Sequence, residues 1–233
     1  MVVKVKVCGL TNLIDVQAAI AAGADLLGFI FYPRSPRYVT PDQVRDILAA
    51  AGLWTGTRRE QATQTEILSV GVFVNESPQM VAQTLEFCGL DLAQLHGEEP
   101  PAMLGLEGGE SLPGGRAYKA LRPQTGEEAR QLAARYALPP RLRGEDRPAL
   151  LLDAYHPHLR GGTGVTGNWE LASSLAGQYP ILLAGGLTPD NVADAVQAVR
   201  PWGVDVASGV EERPGKKDHA ALRAFVAIAK AIQ

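Results

Sequence analysis

The sequence predicts an α/β protein folded as a single-domain (β/α)8 barrel, the TIM-barrel architecture, over residues 1–233. Three observations lead to this fold class. Eight short apolar runs recur along the chain, segments of helical periodicity separate them, and several of the runs are apolar throughout, as in parallel strands buried on both faces. The alternative is an open doubly wound sheet, which would more often have five or six strands.

The eight predicted strands are short and evenly distributed. Each lies within the length range of buried strands and is followed by a segment with helical periodicity. They are residues 2–8, 25–31, 68–74, 91–95, 116–121, 149–153, 180–184 and 203–207.

The predicted helices share a start signal. The segments 39–44 (VTPDQV), 75–81 (NESPQMV) and 187–192 (LTPDNV) each offer Thr or Ser as an N-cap with proline in the first turn. The fourth and sixth helices have the weakest patterns. The remaining helices are expected at about residues 11–23, 98–106, 125–137 and 168–177, and from Asp218 to the end.

Composition limits the possible functions. The net charge of -3 offers no basic surface of the kind that nucleic-acid binding needs, and no apolar run approaches the roughly 20 residues that span a bilayer. Cys8 and Cys88 are too few for a disulfide framework, although one disulfide between them stays open. We therefore expect a cytoplasmic protein. Two polar stretches, 54–66 and 139–147, are expected to be surface additions.

In a barrel of this kind the active site forms at the carboxyl ends of the strands. "AGGLT" after strand seven and "ASGVE" after strand eight place small residues where a phosphate could approach backbone N–H groups. This predicts phosphate binding by Gly185, Gly186, Ser208 and Gly209, with a short helix beginning near Ser208. The alternative is that the two adjacent glycines only make a tight turn.

Three further side chains are candidates. Arg37, in a proline-stiffened loop, could hold a carboxylate or phosphate by two parallel hydrogen bonds or could face solvent. Asp153 ends a strand that is otherwise apolar, where desolvation would raise the pKa of a carboxyl toward that of a general acid; a capping or ion-paired role is the alternative. Cys8 ends strand one and, taken alone, is more often a core residue than a catalyst.

The roles of other polar residues in or after the strands stay open. Asp205 needs a partner if it points into the barrel, and Lys119 or Lys6 could supply one. Lys119 is more readily interpreted as an ion-paired lysine of the barrel floor than as a Schiff-base lysine. His96, at a strand end, could contact a ligand or fix a turn. The H-x-H pair after Asp153, His156 and His158, is a weak metal signal without a settled third ligand.

Taken together these segments resemble the phosphoribosylanthranilate isomerase family. The match runs in order from residue 4 to 219 and has gaps only at the two polar stretches. The motifs that carry it are "KVCGLTN", "GFIFYPRSPRYV", "VGVFVN", "LDLAQLHGEE", "LLLDAY", "GGTG", "LAGGLTPDNV" and "GVDVASGVEERPGKKD".

The resemblance implies an Amadori rearrangement in L-tryptophan biosynthesis, converting N-(5-phosphoribosyl)anthranilate to 1-(2-carboxyphenylamino)-1-deoxyribulose 5-phosphate. By their matching motifs Asp153 would be the general acid, Cys8 the general base and Arg37 the binder of the anthranilate carboxylate. Gly185, Gly186, Ser208 and Gly209 would bind the phosphate. His96 and Asp205 are further candidates for contact with the substrate. A thiol base needs local positive potential, because free cysteine is only a few per cent ionised at pH 7.

The same resemblance implies neither metal nor cofactor. Composition and hydropathy indicate no nucleic-acid or membrane partner, the two small-residue loops indicate a small phosphorylated substrate, and the fold suits a monomer or a homodimer. Three rival hypotheses are a Schiff-base lyase acting through Lys119, a barrel that senses a phosphorylated ligand without turnover, and the related rearrangement of histidine biosynthesis, whose barrels typically use two aspartates. Cysteine at strand one favours the anthranilate substrate, although dual use of both substrates stays open.

Overall fold

Eight parallel strands close into a barrel in the computed structural model, which describes residues 2–54, 67–112, 115–143, 146–153 and 169–232. Each strand pairs with the next along the chain, and the first pairs with the eighth. All eight predicted strands are confirmed. They are β1 (Lys4–Val7), β2 (Leu26–Ile30), β3 (Leu68–Phe73), β4 (Leu92–Leu95), β5 (Ala117–Leu121), β6 (Leu150–Asp153), β7 (Ile181–Ala184) and β8 (Gly203–Val206).

Helices follow the strands as the barrel topology requires. The connection after β4 carries a 3-10 helix, Pro101–Leu104, in place of the fourth predicted helix, one of the two with the weakest patterns. A second 3-10 turn, Ser208–Val210, follows β8 and leads into a small hairpin of β9 (Glu211–Arg213) and β10 (Lys216–Lys217). The α-helices are α1 (Leu13–Ala22), α2 (Pro41–Ala50), α3 (Pro78–Cys88), α4 (Gly126–Tyr136), α5 (Pro140–Arg143), α6 (Trp169–Ala176), α7 (Val192–Val199) and α8 (His219–Ala231).

Side-chain caps set most of the helix starts. The hydroxyls of Thr40, Ser77 and Thr125 each accept a hydrogen bond from a backbone N–H in the first turn of the following helix, and the Asp218 carboxylate does the same for α8. Gly23 ends α1 in the left-handed conformation, as expected.

The predicted helix start at Thr188 is wrong. There the Asn191 side chain accepts a hydrogen bond from the Thr188 backbone N–H and donates one to the Gly186 carbonyl. These bonds close a turn over Thr188–Asn191, and α7 begins only at Val192. Because the same side chain also bonds the Gly186 carbonyl, Asn191 stays outside the helix as its N-cap residue.

Two apolar clusters occupy the two faces of the barrel sheet. Leu26, Val70, Leu92, Leu151 and Leu182 belong to the smaller cluster, which fills the barrel interior. The larger cluster lies between the strands and the helices. Because strand residues alternate between the faces, each interior residue fixes the direction of the residues two positions away.

The second polar stretch differs from expectation where it can be described. Residues 55–66 lie outside the described residues. In the second stretch Pro140–Arg143 forms α5, and the Arg143 side chain is buried, so that part is not purely a surface addition. Every helix in the described ranges is too short or too polar to cross a membrane.

Candidate active site

Cys8 lies directly after β1 on the interior side of the barrel. Lys6, two residues earlier, points inward, because its Nζ is 3.0 Å from Oδ1 of Asp205 across the β1–β8 pairing. The Cys8 sulfur packs over Gly28 of β2, and a Cβ placed on that glycine would be 2.8 Å from Sγ. A side chain at position 28 would therefore occupy the place of the thiol.

Charged groups surround the Cys8 thiol. Burial raises the pKa of the thiol and the carboxylate of Asp205 raises it further, whereas the ammonium groups of Lys6 and Lys217 lower it. The balance leaves the pKa of Cys8 above its ordinary value. The expected positive potential is thus present, but it is smaller than the cost of burying a thiolate. Both Cys8 and Cys88 are free thiols, so no disulfide joins them.

The sequence offered Lys119 or Lys6 as the partner of Asp205, and in the structure the partner is Lys6. Burial alone would lower the pKa of Lys6, but Asp205, Cys8 and Tyr118 together hold it above its ordinary value. The Lys6 side chain is fully buried, and that of Asp205 is 10% exposed. This ion pair therefore places a fixed positive charge below Cys8 and a carboxylate near the barrel mouth.

Asp153 is the last residue of β6 and is partly buried. It lies two positions after Leu151, which belongs to the interior cluster, and it is paired in register with Ala184 of β7. Strand alternation therefore directs the Asp153 side chain into the barrel mouth, on the same side of the sheet as Cys8.

Arg37 crosses the end of β1. Gly9, at a φ of 74°, lies under it, and a Cβ on Gly9 would be 2.5 Å from Cδ of Arg37. The guanidinium donates to Glu211 through Nε, at 2.9 Å from Oε1, and through Nη2, at 2.7 Å from Oε2. The contacts with Glu211 use one edge of the guanidinium and orient its other nitrogen, Nη1.

His96 follows β4 and faces the interior, two positions after Gln94. The Tyr118 hydroxyl donates to Oε1 of Gln94 at 3.0 Å, which turns the amide nitrogen of Gln94 toward Nδ1 of His96 at 2.8 Å. Nδ1 therefore accepts, and Nε2 carries the proton. Burial, followed by the positive charges of Arg122, Lys6 and Lys119, lowers the pKa of His96 to about 4. The imidazole is thus a neutral hydrogen-bond donor at neutral pH.

The two predicted phosphate loops touch each other. A Cβ on Gly209 would collide with the carbonyl oxygen of Leu187, so the turn after β8 packs directly against the loop after β7. Gly185 and Gly186 have φ of 102° and 68°, and Ser208 opens the expected short helix. The positive φ values alone account for the two adjacent glycines, so phosphate binding stays a prediction.

Lys119 forms the expected ion pair but not in the barrel floor. Because Tyr118 and Ala120 face the interior, Lys119 points outward. There its Nζ is 3.0 Å from Oε2 of Glu99 and also donates to carbonyl oxygens, including that of Leu95. This position separates Lys119 from the barrel mouth.

Metal binding gains no support from the described part of the chain. No group of three or more His, Cys, Asp or Glu side chains there is arranged to hold a metal ion. His156 and His158 lie outside the described residues.

Sequence reasoning missed a buried lysine in the last hairpin. Lys217 is 1% exposed, and its ammonium donates to the carbonyl oxygens of Cys8 and Ala207 and to the Glu211 carboxylate. The segment "SGVEERPGKKD" contains both Lys217 and its partner Glu211. Its letters alone do not tell the buried Lys217 from its exposed neighbour Lys216.

The comparisons with known proteins agree with this geometry. The family model described as N-(5'phosphoribosyl)anthranilate (PRA) isomerase matches residues 5–228. The chain belongs to the phosphoribosylanthranilate isomerase family. An N-(5'-phosphoribosyl)anthranilate isomerase of Pelobacter propionicus is 43% identical over 229 residues, covering 98% of this chain and 96% of the relative.

Solved isomerases of the same family share the fold over the whole chain. The phosphoribosylanthranilate isomerase of Thermotoga maritima superposes with a TM-score of 0.77 at 35% identity, covering 99% of this chain and all of the other. A second structure, at 33% identity and a TM-score of 0.75 with the same coverage, is a phosphoribosylanthranilate isomerase in complex with reduced 1-(o-carboxyphenylamino)-1-deoxyribulose 5-phosphate. The sequence resemblance and the predicted barrel are both confirmed.

Proposed function

We propose that the chain isomerises N-(5'-phosphoribosyl)anthranilate in tryptophan biosynthesis with Cys8 as general base and Asp153 as general acid. The isomerase activity follows from family membership. The observation that supports the two roles is the placement of a buried thiol and a partly buried carboxyl on the interior face, at the carboxyl ends of β1 and β6.

The acid acts first. The Asp153 carboxyl gives its proton to the ring oxygen of the ribose, and the C1–O bond breaks as the amine nitrogen forms a double bond to C1. The products of this step are an open-chain protonated Schiff base and the Asp153 carboxylate. This step requires that Asp153 carries its proton when the substrate binds.

The base acts on the opened chain. The Cys8 thiolate takes the proton on C2, the electron pair left on C2 forms the C1–C2 double bond, and the electrons of the C1–N double bond return to nitrogen. The resulting enaminol becomes the ketone when its hydroxyl loses a proton and C1 gains one. Atoms and electrons balance within the substrate, as an isomerisation requires.

The resting thiol is protonated, so it must lose its proton to solvent water as the complex forms before it can act as a base. Lys6 and Lys217 supply the positive potential that favours the thiolate, and the cationic Schiff base adds another positive charge beside Cys8. We propose that the free Nη1 edge of Arg37 holds the anthranilate carboxylate and that Nε2–H of His96 donates to the substrate. Asp205 would bind a sugar hydroxyl.

The phosphate is assigned to the two loops that touch at Gly209. Gly185, Gly186 and Ser208 lie beside that contact, after β7 and β8. Backbone N–H groups of such loops bind phosphate without a side chain in between. The proposed partners are thus one small phosphorylated substrate and, for a homodimer, a second copy of the chain; we propose the cytoplasm as its compartment.

Asp153→Asn tests the acid. General acid catalysis contributes about 10²–10⁴-fold, so kcat for loss of substrate fluorescence should fall by that factor while KM changes little. Lys119→Met, matched as a buried charge outside the barrel mouth, should keep kcat if it folds. Near-normal turnover by Asp153→Asn would refute the general-acid role of Asp153. A borohydride-trapped adduct on Lys119 would favour the Schiff-base lyase.

A further inference from the structure

Lys217 links two proposed functional residues, Cys8 directly after β1 and Arg37 in the loop after β2. Its Nζ lies 2.7 Å from the Cys8 carbonyl oxygen, 3.0 Å from that of Ala207 and 2.9 Å from Oε1 of Glu211. An ammonium has three N–H donors, and here each has one acceptor. The Lys217 ammonium is thus buried with all three of its N–H donors in hydrogen bonds.

The acceptors lie where the barrel closes. Cys8 follows β1 and Ala207 follows β8, the first and last strands of the sheet. By bonding both carbonyls, Lys217 fixes the ends of these strands relative to each other directly at the proposed base. The third acceptor, Glu211, receives the two hydrogen bonds that orient Arg37.

The lysine is itself held from outside the site. Its backbone N–H donates to Oδ2 of Asp15 in α1 at 2.9 Å, and the other oxygen of that carboxylate is 2.7 Å from Nε2 of His219. The side chain of Asn12 donates to the same carboxylate. Residues at the starts of α1 and α8 therefore fix the hairpin that carries Lys217.

In this network, pairing between opposite charges opposes the effect of burial on each group. Burial alone would raise the pKa of Glu211, but hydrogen bonds and positive charge from Arg37 and Lys217 hold it below its ordinary value. Burial lowers the pKa of Lys217, and Glu211 opposes that shift. Two cations thus share one buried carboxylate, and the excess positive charge lies beside Cys8.

We propose that Lys217 is a positioning residue that holds both Cys8 and Arg37 in their working geometry. It acts through the Cys8 carbonyl and through Glu211 and touches no reacting atom, and its role in catalysis rests on the proposed function. Losing it should displace the thiol and release the guanidinium, so that kcat and KM both suffer.

Its positive charge also adds to the potential at the thiol. Removing the charge should therefore reduce the thiolate fraction of Cys8 at a given pH, an effect that a purely structural residue would not produce. The titratable groups that act on this thiol from the surrounding elements are Lys6, Asp205, Lys217, Arg37 and Tyr118.

The test compares Lys217→Met with Lys216→Met. Lys216 is the preceding residue, but its ion pair with Glu212 is half exposed, so it makes a matched control. Two readouts are taken: steady-state kinetics, and the rate at which iodoacetamide alkylates Cys8 at pH 8, followed by mass spectrometry so that Cys88 is counted separately.

For Lys217→Met we expect kcat to fall about 10–100-fold with a raised KM. Loss of one nearby opposite charge should raise the thiol pKa, making alkylation about tenfold slower. Lys216→Met should match the wild type in both. Glu211→Gln, which keeps the lysine, should raise KM more than it lowers kcat.

The proposal is overturned if Lys217→Met keeps kcat within twofold of the wild type, or if Cys8 is alkylated at the wild-type rate or faster. If that variant does not fold, Lys217→Met with Glu211→Gln removes both members of the pair and must show the same slow alkylation. The alkylation readout does not depend on turnover, so it judges Lys217 even if Cys8→Ala proves active and the proposed base fails.

Discussion

At the scale of the residue, the site depends on which side chains are absent as much as on those present. Gly28 leaves the space that the Cys8 sulfur fills, and Gly9 leaves the space that the Arg37 side chain crosses. Interior packing is close to that of organic crystals, so one added methyl group cannot be absorbed without moving its neighbour. These two glycines therefore position the thiol and the guanidinium from below.

Gly28→Ala tests this at the thiol. The new Cβ would be 2.8 Å from Sγ, so the thiol must rotate or shift away from its position over β2. We expect kcat to fall by at least about tenfold with KM nearly unchanged. Gly108→Ala, whose Cβ would have open space, is the control. Wild-type kcat in a folded Gly28→Ala protein would mean that the thiol position does not limit turnover.

At the scale of the element, the proposed phosphate site depends on the contact between two loops. The turn Ser208–Val210 approaches the loop after β7 so closely that Gly209 faces the Leu187 carbonyl. Because the collision would be with backbone and not with a flexible side chain, an added methyl group must separate the loops. The proposed phosphate contribution to binding therefore depends on this contact.

Gly209→Ala should therefore weaken substrate binding. We expect KM to rise by about tenfold or more and inhibition by inorganic phosphate to weaken in parallel, because one well-placed phosphate contact is worth about 1.5–3 kcal/mol. Gly177→Ala, where the new Cβ would make only ordinary contacts at 3.8 Å, serves as the control. An unchanged KM would mean that the phosphate does not bind at these loops.

Elements were predictable from the sequence where local chemistry decides them. The apolar runs identified all eight strands, and Thr40, Ser77 and Asp218 marked helix starts because each capping bond lies within three residues. Thr188 misled because the Asn191 side chain bonds both the Thr188 N–H and the Gly186 carbonyl, which closes a turn before the helix.

The long-range contacts were not predictable. Lys217 reaches the carbonyl of Cys8 across 209 positions of sequence, and Arg37 reaches Glu211 across 174. Strand ends identified Cys8 and Asp153 as candidates because the barrel brings all such ends together. Nothing local to the hairpin indicates which of its two lysines is buried, since that depends on how the barrel closes.

At the scale of the whole molecule, burying charged and titratable groups links stability to pH. The pKa of His96 falls from 6.5 to about 4 on folding, mainly through burial, so the unfolded chain binds the proton more readily. Stability from this group is therefore complete above pH 6.5 and decreases as pH falls toward 4. The depressed pKa values of Glu211 and Asp15 add losses of stability that begin as pH falls below their ordinary values of 4.5 and 3.8.

Urea unfolding at pH 7.5 and pH 4.5 measures this link. We expect His96 to account for a loss of about 2–3 kcal/mol in the free energy of unfolding between the two pH values. His96→Asn, which cannot titrate, should lose less by about that amount. If both proteins lose equally, the imidazole is not held neutral by the fold.

The central claim is that Cys8 removes the C2 proton, and turnover of Cys8→Ala tests it most directly. The measurement is kcat and KM for the loss of N-(5'-phosphoribosyl)anthranilate fluorescence, with far-ultraviolet circular dichroism to verify the fold. A general base contributes about 10²–10⁴-fold, so kcat should fall by at least 10² while KM stays within a few-fold of the wild type. A folded Cys8→Ala protein with near-wild-type kcat would contradict the account.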